Sequence, residues 1–241
     1  MEREVQMLDL GRITFKEAWD KQEALFSGLI EQKLHNRAKR NLDRSNKPGY
    51  LLFCEHSPVI TLGKSGHETN LLANKAFLKK ERSIEFFKIN RGGDITFHGP
   101  GQLVGYPILD LDYFFTDIHR YMRSLEEMII LTLAEYGLKG ERLEGATGVW
   151  LDASNPAKAR KICAMGVRTS RWITMHGFAF NINTDLSYFD LIVPCGIQGK
   201  AVTSLEKELE HPVDVSEVKE KVQHHFETVF DAKLMANTIH A

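Results

Sequence analysis

The sequence predicts an α+β fold, a mixed α/β sheet with packed helices, and three observations carry that reading. Strand-like runs outnumber helical patterns along the chain. Glycine and proline punctuate those runs most densely between residues 84 and 111, as turns between short strands do. Residues 116–136 and 215–230 instead carry apolar side chains at the three-to-four-residue spacing of amphipathic helices. Helices with one apolar stripe supply the layer that a sheet needs against its buried face.

Residues 5–10 form a short strand-like run. Thr14, with Glu17 three residues later, makes a capping box, and Trp19, Phe26, Leu29, Ile30 and Leu34 mark the buried side of a helix over residues 15–40. The basic stretch RAKRNLDRSNKPG breaks at Pro48-Gly49 and reads as a surface loop. YLLFCEHSPVITLG reads as two strands joined across His56-Ser57-Pro58. IEFFKIN, DITFHG and QLVGYPILDL follow as strands, separated by Gly92-Gly93 and by Gly99-Pro100-Gly101. In the helix over 116–136 the apolar positions run from Ile118 through Tyr121, Leu125, Met128, Ile129 and Leu133 to Tyr136, with Gly137 as a C-terminal stop. GVWL, KICAMGVRT and FAFNIN read as strands, and Val218, Val222, Phe226 and Phe230 line a closing helix.

At 241 residues the chain is long enough for a substantial core, and one domain spanning 1–241 is expected. Basic and acidic residues nearly balance, 31 against 32, so no global field draws the protein to nucleic acid or to a membrane surface. The first residues lack the apolar core of a signal peptide, and no run approaches the roughly 20 apolar residues of a membrane span. A cytoplasmic protein is expected. Cys54, Cys163 and Cys195 form no disulfide framework and no zinc-type pair, so a reducing compartment and no metal are expected.

RGGDITFHGPGQ, residues 91–102, is longer and richer than tight turns require, and its glycines would let backbone N–H groups approach a carbonyl oxygen or a phosphate. GKSG at 63–66 is not a phosphate-binding P-loop, because Pro58 stands where that motif needs its first glycine; a strand-ending turn is the plainer reading. Cys54 and Cys163 look like buried residues of apolar strands. Cys195 differs, since Pro194 forbids a regular helix and Gly196 leaves the sulfur uncrowded. A thiol is little ionised at neutral pH, so a cysteine nucleophile needs a nearby cation or base, and Lys161 and His176 are the candidates on adjacent strands. On composition alone Lys161 reads as a strand-edge lysine. No serine-hydrolase elbow and no histidine pair with metal-ligand spacing appears.

RGGDITFHGPGQLVGYPILDL, GVW, KICAMG, WITMHGFAFNINTDL and VPCGIQGKAVTSL together resemble lipoate-protein ligase B, the octanoyl-carrier-protein:protein octanoyltransferase family. The resemblance implies a catalytic domain of the type shared by biotin protein ligases and lipoyltransferases, and ping-pong acyl transfer. It implies that Cys195 takes octanoyl from acyl carrier protein as a thioester, and that Lys161 lowers the thiol pKa and shuttles protons. The acceptors would be apo lipoyl domains of 2-oxoacid dehydrogenase E2 subunits and the glycine cleavage H protein. Arg91, Gly92, Gly93, Asp94, Ile95, Thr96, Phe97, His98, Ala164, Met165, Gly166, Gly177, Phe178 and Ala179 would line the acyl site. One departure is Cys163, where alanine is more usual in that family; this second thiol is expected on the opposite side of the strand from Lys161.

No ATP or metal is expected, because a thioester donor is already activated and its phosphopantetheine comes with the carrier protein. Burying about six methylenes of an octanoyl chain would contribute about 5 kcal/mol. Rival readings are an ATP-dependent lipoate or biotin ligase, a cysteine-dependent amidotransferase moving octanoyl between lipoyl-type proteins, and a non-catalytic acyl-binding protein. Acyl carrier proteins are acidic, so Arg37, Lys39, Arg40, Lys79 and Lys80 are candidates for docking one.

Overall fold

A computed structural model describes residues 3–38, 49–193 and 201–236. In chain order the elements are β1 (Glu4–Ile13), α1 (Phe15–Ala38), β2 (Gly49–His56), β3 (Val59–Leu62), α2 (Lys75–Arg82), β4 (Glu85–Lys88), β5 (Ile95–His98) and β6 (Gln102–Leu109). They continue with α3 (Ile118–Ala134), β7 (Glu141–Leu143), β8 (Ala146–Leu151), β9 (Arg160–Ser170), β10 (Ile173–Asn181), β11 (Ala201–Val202), α4 (Leu205–Leu209), α5 (Val215–Phe230) and β12 (Lys233–Ala236). The large sheet runs β12-β1-β2-β6-β10-β9-β8-β7, with β11 parallel to β9, and β4-β3-β5 form a separate small sheet.

The period-2 alternation of β2 divides the core. Leu51 and Phe53 face the layer of α3 and α5, while Leu52 and Cys54 face α1 on the other side of the sheet. The capping box forms as the spacing predicts: Glu17 N donates to Thr14 Oγ1 at 3.3 Å and Thr14 N donates to Glu17 Oε2 at 3.2 Å. In α1 the buried stripe runs Phe15, Ala18, Gln22, Phe26, Leu29, Lys33. Leu34, expected on that stripe, stands 43% exposed. The 3.6-residue period reaches Lys33 instead, whose Nζ meets Asp110 Oδ1 at 2.6 Å and Asp112 Oδ2 at 2.8 Å. Residues 39 and 40 of the expected helix lie outside the described residues.

Asp117 caps α3 by accepting from Arg120 N at 3.0 Å, and Gly137 closes the helix at a left-handed φ of 71°. Val218, Val222, Phe226 and Phe230 are buried, as the closing-helix pattern predicts. The two strands read in YLLFCEHSPVITLG part company at the turn, β2 entering the large sheet and β3 the middle of the small one. The short elements α2, α4, β7, β11 and β12 carried no periodic signal in the sequence. Among the described residues no helix is long and apolar enough to cross a membrane.

Candidate functional site

A cavity of about 420 Å³ opens where the small sheet, the 91–96 loop and the β7–β8 turn meet β9 and β10. On β9 and β10 its lining includes Ala164, Met165, Gly166, Gly177, Phe178 and Ala179. The loop contributes Arg91, Gly92, Gly93, Asp94, Ile95 and Thr96, with His98 beyond it. Phe97 departs from the expectation. Alternation along β5 turns its ring away into the small sheet's core, where it is 1% exposed and stacks on Tyr188 with centroids 4.6 Å apart.

The loop is fastened to β9 by close backbone contact. Gly92 N donates to Val167 O at 2.8 Å, so that N–H is engaged within the fold, and a Cβ at Gly166 would lie 2.7 Å from Gly92 O. Arg91 is buried, donating from Nη2 to Thr61 Oγ1 at 3.0 Å and to Thr61 O at 3.2 Å. Asp94 accepts from Asn70 Nδ2 at 2.6 Å and from Ile95 N at 2.7 Å. Gly63-Lys64-Ser65-Gly66 forms a turn after β3, with Gly66 N donating to Gly63 O at 3.2 Å.

A directed chain of hydrogen bonds runs beneath the cavity. Gln102 Nε2 donates to Phe97 O at 3.2 Å and to Asn181 Oδ1 at 2.9 Å, which leaves Gln102 Oε1 as acceptor. His98 Nδ1, 2.8 Å away, therefore carries the proton, and His98 Nε2 faces Thr61 Oγ1 at 3.5 Å. Asn181 Nδ2 donates to Thr203 O at 2.9 Å, and Thr203 N donates to Lys161 O at 2.9 Å. Burial holds His98 at a pKa of about 3 and His176 at about 3, so both imidazoles are neutral at pH 7. His56 is held at about 4 for the same reason; its Nδ1 donates to Ile13 O at 3.0 Å and its Nε2 accepts from the Tyr106 hydroxyl at 2.7 Å.

Lys161 lies on an internal strand, flanked by β8, β10 and β11, rather than on an edge. Its side chain is buried at the cavity wall, with Nζ over the Trp150 ring at 4.7 Å, a cation–π contact worth about 2 kcal/mol when desolvated. Regular alternation would put Cys163 on the same face. A bulge intervenes: Val149 pairs Cys163 while the next residue, Trp150, pairs Lys161, so β9 has one extra residue there. Cys163 consequently turns into the core, fully buried, and burial drives its thiol pKa up, as it does for Cys54.

Cys195 lies outside the described residues, as do Lys39 and Arg40. The residues bordering its segment are placed. Val193 N donates to Asn70 O at 2.7 Å, and Val202 pairs with Lys161 itself. His176 pairs with Val167, six residues along β9 from Lys161, which is about 20 Å at strand rise. The two candidate activators therefore belong to opposite ends of the cavity. Tyr106, Met122, Asn181 and Thr147 also line it and were missed in the sequence; Asn181, an amide flanked by the apolar Phe180 and Ile182 in FAFNIN, was the available signal.

Residues 25–227 match the family described as Lipoyl protein ligase A/B catalytic domain. The octanoyltransferase of Christiangramia forsetii is 58% identical over 235 residues, covering 97% of this chain and 99% of that protein. A crystal structure of lipoate-protein ligase A bound with ATP matches at TM-score 0.74 and 16% identity, over 98% of this chain and 90% of that one. The biotin protein ligase of Aquifex aeolicus in complex with biotin and ATP matches at TM-score 0.51 and 13% identity, over 96% and 71%. At such identities the structural matches speak for the fold, which is the expected one.

Proposed function

The chain belongs to the lipoyl protein ligase A/B catalytic-domain family, and from that premise we propose that it moves an octanoyl group from octanoyl-acyl carrier protein to a lysine of apo lipoyl domains. The observation that carries the reading is the position of Lys161: a buried amine at an apolar cavity, on the strand that pairs with the residues re-entering after the Cys195 segment. The full-length relative named octanoyltransferase supplies the acyl group.

In the proposed reaction the Cys195 thiolate attacks the donor thioester carbonyl, and the C–S bond to phosphopantetheine breaks. Lys161 holds the proton released by Cys195, and its ammonium favours the thiolate. That proton goes to the departing phosphopantetheine sulfur. The acceptor lysine then attacks the Cys195 thioester, an amide forms, and the proton lost by the amine returns to the Cys195 sulfur through Lys161. Ala164, Met165, Phe178 and Ala179 pack the hydrocarbon chain. Transfer from thioester to amine is downhill, so no nucleotide or metal takes part. A cysteine that must stay reduced suits the cytoplasm. The E2 lipoyl domains and the glycine cleavage H protein are the proposed acceptors.

Octanoyl-acyl carrier protein and an apo lipoyl domain, mixed with the enzyme in the presence of a metal chelator and no ATP, should yield octanoylated domain. Lys161→Ala should lower the rate by about a hundredfold or more. A strict requirement for ATP would replace this reading with that of an adenylating ligase.

A further inference from the structure

Leu72 and Phe77 are 62% and 45% exposed and five positions apart, Leu72 on the segment that leads into α2 and Phe77 in its first turn. Within α2, Leu78 turns inward while Lys75, Phe77, Lys79, Lys80 and Arg82 face outward. Four cations against Glu81 on this one helix contrast with a chain whose net charge is -1. Lys75 is neutralised by Glu68 at 2.7 Å, and Lys88 also pairs with Glu68. Among the described side chains Lys79, Lys80 and Arg82 have no ion-pair partner.

The Leu72 end of this face is linked to the cavity wall through Asn70. Leu72 N donates to Leu191 O at 2.9 Å, Leu71 bridges Ile192, and Asn70 joins Val193 on one side and the cavity residue Asp94 on the other. We propose that Leu72, Phe77, Lys79, Lys80 and Arg82 form the docking surface for the acidic acyl carrier protein that brings the thioester, an inference that rests on the octanoyl-transfer reading. Charge complementarity favours an acidic partner. Reach favours the donor over the acceptor. The donor's thioester stands on a long phosphopantetheine arm, so its protein can seat to one side of the cavity. An acceptor lysine has only its own side chain, so a lipoyl domain must cover the mouth itself.

The test compares wild type with a Lys79→Glu/Lys80→Glu double variant and with Phe77→Ser, using octanoyl-acyl carrier protein and the small thioester octanoyl-N-acetylcysteamine as donors. With the carrier donor kcat/KM should fall about tenfold at low salt, the deficit of the charge variant narrowing as salt rises. With the small thioester, and in KM for the acceptor, the variants should match wild type. An unchanged carrier kcat/KM, an equal loss with both donors, or a rise confined to the acceptor KM overturns the proposal. Should wild type transfer from neither donor, the octanoyl-transfer reading fails by itself. Calorimetric titration of acyl carrier protein into the same variants then decides the surface: weakened binding sustains it, unchanged binding overturns it.

Discussion

Gly166 faces the Gly92 carbonyl so closely that an added methyl group would sit 2.7 Å from the oxygen. Gly166→Ala should therefore push the 91–93 loop off β9, raising KM for the acyl donor about tenfold at a cost to stability of about 1–2 kcal/mol. Steady-state kinetics beside urea unfolding separates the two effects. Gln102→Leu should be costlier to the fold. It strips partners from His98, the Phe97 carbonyl and Asn181 together, for about 3 kcal/mol, read as a lower urea midpoint. These contacts mark the limit of sequence reading at this scale. The pairing of Arg91 and His98 with residues of β9 and β10 in one site followed from the family resemblance, and the structure brings all but Phe97 to the cavity. The burial of Lys161 was not legible. A lysine opening a strand reads as an edge residue, and the bulge that separates it from Cys163 depends on pairing with β8.

Elements with a long repeat were legible, and those defined by pairing were not. Helices α3 and α5 announced themselves through more than four turns of apolar spacing and a cap, whereas β11 and β12 exist because β9 and β1 offer them partners. The helix α1 lies between these cases. Its start was written in Thr14 and Glu17, so Glu17→Ala should lower the thermal or urea midpoint by unpairing the Thr14 N–H. Its buried stripe was misjudged at the far end, where Lys33 displaces Leu34 because Asp110 and Asp112 wait across the interface. Lys33→Met should destabilise by about 3 kcal/mol, since it strands Asp110 in a buried place. Lys33→Met with Asp110→Leu should recover part of that loss.

For the molecule as a whole, three neutral histidines, His56, His98 and His176, set the response to acid. Burial lowers each folded-state pKa to about 3 or 4, below the unfolded value near 6.5. The unfolded chain thus binds protons that the folded chain refuses, and stability falls as pH drops below about 6.5. Each histidine should cost about 2 kcal/mol by pH 5, a large share of a domain's stability in sum. Urea unfolding at pH 7.5, 6 and 5 should show that slope, and a flat profile would refute the three burials. The fold positions Lys161 and the cavity; covalent transfer through Cys195 is the central claim that rests on them. Its most direct test is the intact mass of the protein after brief exposure to octanoyl-acyl carrier protein without ATP, beside a Cys195→Ser variant. One octanoyl adduct on the wild type alone, discharged by an apo lipoyl domain, is the expected result; transfer to the domain by the Cys195→Ser variant at the wild-type rate would contradict it.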